Sequence, residues 1–102
     1  MKLLIVTSLK ECHQKVSEIF RETGIEVFSA SEIAGFKEGS SEILANNWFG
    51  GGGDSYDSLM LFSFTQKEKA EKALQLIAEF NKNEQTKYPV RGFILPVEQF
   101  GN

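Results

Sequence analysis

Leu3-Leu4-Ile5-Val6-Thr7-Ser8-Leu9-Lys10-Glu11 and Ser58-Leu59-Met60-Leu61-Phe62-Ser63-Phe64-Thr65-Gln66-Lys67-Glu68 share one plan, a short apolar run that ends in Ser/Thr-x-Lys-Glu. Each run has the length and composition of a buried strand. The box that follows puts a hydroxyl at a helix N-cap and a glutamate three residues on, a pair able to satisfy two free amide donors. Both halves of the chain are therefore expected to pass from a strand into a helix. In the second run Leu59 and Leu61 fall on one face and Met60, Phe62 and Phe64 on the other, so that strand needs cover on both sides.

Working outward, Cys12, Val16, Ile19 and Phe20 recur at helical spacing while Glu11, Lys15, Glu18 and Glu22 fall elsewhere, which predicts a first helix over Leu9 to Thr23, stopped by Gly24. Glu26 to Ile33 alternates as a second strand, ended by Gly35. Residues 35–57 show no sustained period and contain six glycines, among them Gly50-Gly51-Gly52-Gly53, so they read as one long loop. After the Ser58–Phe64 strand, Ala70, Ala73, Leu74 and Ile77, flanked by Leu76 and Phe80, mark a second helix running to about Asn83. Val90 to Val97 is the last strand, and Pro96 assigns it to an edge or an irregular end. The order β-α-β, long loop, β-α-β predicts one α+β domain over residues 1–102. Its fold class is the ferredoxin-like split β-α-β, an antiparallel four-stranded sheet with both helices on one face. The opposite face is left bare and apolar, and self-association is its simplest cover.

The 102 residues are 41% hydrophobic and 25% charged, the balance of an ordinary globular domain. A formal net charge of −3 with scattered basic residues argues against a protein whose main partner is a nucleic-acid backbone or an anionic membrane. The opening apolar run is too short for a signal peptide or a membrane span, and no later run is longer, so a cytoplasmic protein with no direct membrane insertion is expected. The single cysteine, Cys12, rules out an internal disulfide framework.

Phe28-Ser29-Ala30-Ser31-Glu32-Ile33-Ala34-Gly35-Phe36-Lys37-Glu38-Gly39, followed by Ser41-Glu42-Ile43, resembles the second strand and loop base of the P-II nitrogen regulatory proteins. Element order and loop position match over nearly the whole chain. The resemblance implies a homotrimer with its sheets facing inward and clefts between subunits that hold an adenine nucleotide, with ATP, ADP or AMP as the candidates. It implies a non-enzymatic signalling protein that responds to a small-molecule effector and reaches a protein target, a membrane transporter among the candidates, through the long loop. Carried across, Ser29 stands at an adenine-contacting threonine, and Gly35, Phe36, Lys37 and Gly39 stand at the loop base. Four departures weaken the expectation of tight triphosphate binding and of uridylylation. Residues 84–89 lack the family's phosphate-binding glycine-lysine pattern, Asp57-Ser58 replaces a basic entry to the third strand, the family's basic C-terminal segment is absent from Glu98-Gln99-Phe100-Gly101-Asn102, and Leu44 aligns with the modified tyrosine.

Lys37, Lys87 and Arg91 are the cations available for phosphate at such a cleft; the alternative is that they are solvated surface charges. The four glycines lack a following Gly-Lys-Ser/Thr, and Asp54 and Asp57 would repel an anion, so they read as a hinge rather than a phosphate cradle. Trp48 and Phe49 are costly to expose and suit a partner-facing anchor, with Tyr56 completing the partner-binding loop. Cys12-His13 offers too few ligands for a metal and the wrong geometry for a thiolate-imidazole couple. A trimeric divalent-metal-tolerance protein and a small enzyme remain the alternatives.

Overall fold

The computed structural model describes residues 1–34, 57–85 and 88–101. Strand β1 (Lys2–Leu9) runs through a 3-10 turn (Lys10–Cys12) into helix α1 (His13–Glu22). Strands β2 (Ser29–Ala34) and β3 (Asp57–Thr65) follow, then helix α2 (Lys67–Glu84) and strand β4 (Arg91–Pro96). The strands form one sheet in the order β2-β3-β1-β4, and every neighbouring pair is antiparallel. This is the expected split β-α-β arrangement.

Residues opposite each other in antiparallel strands share a face, so the register assigns the two faces. Leu4 and Val6 of β1 and Leu59 and Leu61 of β3 pack with Val16, Ile19 and Phe20 of α1 and Ala70, Ala73 and Ile77 of α2. Burying each large side chain of this set contributes about 1.5–3 kcal/mol. The other face carries Leu3, Ile5, Met60, Phe62, Phe64, Phe93 and Leu95, none of them in the buried core. Phe64 is 57% exposed and Leu95 40%. The apolar face expected from the third strand is present, and it is exposed at Phe64 and Leu95.

Both capping boxes fail to form. Ser8 stays in β1 opposite Leu59 and its Oγ donates to the Leu9 carbonyl, so the N-cap falls on Leu9 without a side-chain bond and the first turn is 3-10. Thr65 likewise stays in β3 opposite Lys2, and the N-cap of α2 moves to Gln66. Sheet pairing holds both hydroxyl residues where the helix would have used them. The second strand also starts later than expected. Phe28 turns edge-on against Phe20 with centroids 4.9 Å apart, and the Val27 carbonyl accepts from Ser63 Oγ at 2.7 Å. Ladder pairing with β3 begins only at Ser29.

The stop at Gly24 is as expected. Its φ of 82° is open to glycine, its amide donates to the Arg21 carbonyl, and the Ile25 amide donates to the Phe20 carbonyl, which together close α1 with a Schellman turn. Lys69 of α2 donates to the Gly24 carbonyl at 3.1 Å and ties the turn to the second helix. Pro96 ends β4, an edge strand, where its missing amide breaks no ladder bond on the outer side.

Candidate functional site

Of the residues singled out for ligand binding, Ser29 and Arg91 have described positions. Gly35, Phe36, Lys37, Gly39 and Lys87, together with Trp48, Phe49 and Tyr56 of the partner-binding loop, lie outside the described residues. Ser29 opens β2 at one edge of the sheet and Arg91 opens β4 at the other. The register runs Ser29, Phe62, Ile5, Phe93 across one row and Ser31, Met60, Thr7, Arg91 across another. Three strand spacings separate the two edges, about 14 Å at roughly 4.8 Å each. The chain by itself does not bring Ser29 and Arg91 together.

Both residues belong to the bare face, and so does a small polar island that sequence reasoning missed. Thr7 is 1% exposed and Ser58 2%, although their neighbours on that face are large and apolar. The Ser58 hydroxyl and Arg91 Nε are both buried and have no hydrogen-bond partner among the described residues. A buried donor left unmatched costs free energy until something accepts from it. The signal available in the sequence was a hydroxyl interrupting each apolar alternation, Thr7 after Ile5 and Ser58 before Met60.

At the β2 edge, Glu32 pairs with Lys10, which ties the turn after β1 to the outermost strand. The hydrogen bond from the Lys10 ammonium, helped by its charge, holds the Glu32 carboxyl below the usual carboxylate range. Cys12 is half-buried against the core, and burial, with the nearby Glu11 and Glu84 carboxylates, pushes its thiol up. A thiol shifted in that direction is neither an activated nucleophile nor a ready metal ligand. His13 beside it is exposed. Among the described residues no three His, Cys, Asp or Glu side chains converge, and no helix is long and apolar enough to cross a membrane.

No family model and no curated protein matches the chain. Solved structures do resemble it in fold. A nitrogen regulatory PII-like protein from Thiomonas intermedia, solved bound to ADP, AMP and bicarbonate, superposes with a TM-score of 0.67 at 13% identity, over 99% of this chain and 92% of that one. A PII-like signalling protein from Thermus thermophilus gives 0.62 at 16% identity, over 91% of this chain and 80% of that one. The fold of this chain is that of the PII-like signalling proteins.

Proposed function

We propose that the protein is a non-enzymatic PII-like regulator, a homotrimer in the cytoplasm that binds an adenine nucleotide between copies and signals to a protein target through residues 35–57. The observation that carries this reading is the apolar sheet face, exposed at Phe64 and Leu95, between two edge strands that bear Ser29 and Arg91. Copies associating through that face bury Phe62, Phe64 and Leu95. In such a ring the β2 edge of each copy lies beside the β4 edge of the next, so Ser29 meets its neighbour's Arg91 across a cleft.

The chemistry of the two edges suits a nucleotide. Arg91 has a buried donor with no acceptor among the described residues, and guanidinium donors favour phosphate oxygens. Ser29 is exposed and offers a hydroxyl to a base or ribose. Gly35, Phe36, Lys37 and Gly39 at the loop base and Lys87 before β4 complete the site, and Trp48, Phe49 and Tyr56 are the contacts offered to the target. The ADP and AMP bound by the Thiomonas protein support the ligand class.

Sedimentation velocity and titration calorimetry on ligand-free protein test the two parts separately. A trimer that Phe62→Glu converts to monomer, and saturable heat with AMP, ADP or ATP that Arg91→Gln weakens, are expected. A monodisperse wild-type monomer overturns the assembly, and no heat with any of the three nucleotides overturns the ligand.

A further inference from the structure

We propose that a second cleft, on the flank of α1, binds a free amino acid with an apolar side chain. The cleft has a volume of about 380 Å³ and is lined by Ser17, Arg21, Gly24, Ile25, Glu26 and Phe28. That volume is within the range of small-molecule pockets, about 300–1,000 Å³. It lies on the helix side of the sheet, where Phe28 packs on Phe20, whereas Ser29 beside it belongs to the opposite face with Phe62, so it is a separate site from the nucleotide cleft and stands or falls independently of it.

Ser17 and Arg21 are four residues apart on α1 and therefore share one face. The Schellman turn at Gly24 reverses the chain and brings Ile25, Glu26 and Phe28 up against that face. Three properties then coincide. The Ser17 hydroxyl is buried with no hydrogen-bond partner among the described residues, although a helical serine ordinarily finds the carbonyl one turn back. Arg21 and Glu26 carry opposite charges on the rim, both are exposed, and neither takes part in an ion pair among the described residues. Ile25 is 3% exposed and Phe28 is half-buried against Phe20, which supplies an apolar wall.

This combination selects by charge. Glu26 opposes an isolated anion such as a phosphate, and Arg21, with the Lys69 ammonium on the Gly24 carbonyl, repels a metal cation. A zwitterion offends neither. Its carboxylate faces Arg21, its ammonium faces Glu26, the Ser17 hydroxyl donates to the carboxylate once it rotates out into the cleft that its side chain lines, and an apolar side chain covers Phe28.

The test is a titration of the ¹⁵N-labelled protein with L-leucine and L-phenylalanine to millimolar concentration, followed by amide shifts. Saturable shifts confined to the amides of Ser17, Arg21, Gly24, Glu26 and Phe28 are expected. The N-acetyl amide of the same amino acid, which carries neither charge, should give none. Arg21→Gln and Glu26→Gln, both exposed positions, should each weaken binding about tenfold, the loss of one charge-assisted contact. Ser17→Ala should weaken it less, with the rest of the spectrum unchanged. Absence of saturable shifts with both amino acids, equal binding of the uncharged analogue, or full affinity in both charge variants overturns the proposal.

Discussion

The Asn81 carboxamide takes both backbone groups of Val90: its Nδ2 donates to the Val90 carbonyl at 2.8 Å, and its Oδ1 accepts from the Val90 amide at 2.9 Å. A side chain in the last turns of α2 thus substitutes for a strand partner at the residue before β4, and so fixes where Arg91 enters the sheet. Val90 is 1% exposed, so with Asn81 in place bulk water does not reach the pair. Asn81→Ala should destabilise the protein by about 3 kcal/mol, because two buried backbone groups lose their partners at roughly 1–3 kcal/mol each. Urea denaturation measures it. Asn81→Asp keeps the acceptor but sets a carboxylate against the Val90 carbonyl, and should be no better than alanine.

Gly92 follows for a different reason. A Cβ built there would meet Leu74 Cδ2 at 2.4 Å and Ile77 Cδ1 at 3.2 Å, so the missing side chain is what lets α2 lie close over β4. The nearer atom is the end of a leucine that can turn aside, while Ile77 belongs to the core. Gly92→Ala should therefore cost about 1–2 kcal/mol by overpacking. Leu74→Val in the same chain should recover part of that loss, read as a coupling in a double-mutant cycle.

How far the sequence foretold this arrangement depends on the range of the forces involved. Element order was legible because Leu59 and Leu61 against Met60, Phe62 and Phe64 record two faces directly, and Val16, Ile19 and Phe20 record one helical stripe. Element starts were less legible. Ser8 and Thr65 look like caps in isolation, yet each is held by a partner strand distant in sequence, Leu59 for one and Lys2 for the other. The Asn81 to Val90 clasp and the close approach at Gly92 were invisible for the same reason. For the candidate site, the sequence offered residue types but not their placement. Ser29 and Arg91 prove to be on opposite edges, which only the strand order β2-β3-β1-β4 reveals.

The Lys10 to Glu32 pair joins the turn before α1 to the edge strand and should respond to pH in one direction. The Glu32 carboxyl is held below its ordinary range chiefly by the hydrogen bond from Lys10. Its folded value thus lies below that of the unfolded chain. The pair's contribution is then present above the unfolded glutamate value, about 4.3, and is lost as pH falls through the lower folded value. Following the Glu32 side-chain carbon by NMR should show a depressed midpoint in the wild type and an ordinary one in Lys10→Met. Because both side chains are exposed, high salt should shift the wild-type midpoint upward as well.

If a ligand cleft is built from Ser29 of one copy and Arg91 of the next, its two halves can be inactivated in different chains. Ser29→Glu places a carboxylate against incoming phosphate at the β2 edge, and Arg91→Gln removes the cation at the β4 edge. Each variant alone should form trimers that bind adenine nucleotide at least about tenfold more weakly, the equivalent of roughly 1.4 kcal/mol. Denatured together and refolded as a mixture, the two chains should regain clefts of wild-type composition. Such a cleft forms wherever the intact Ser29 edge of an Arg91→Gln chain meets the intact Arg91 edge of a Ser29→Glu chain. Random mixing of equal amounts makes one cleft in four fully intact and one in four doubly impaired. Calorimetry should then report a high-affinity class close to that fraction. A site contained within one chain predicts no recovery, because every chain in the mixture still carries one lesion. The separation of about 14 Å between the two edges makes recovery the expected outcome, and its absence would overturn a cleft shared between copies.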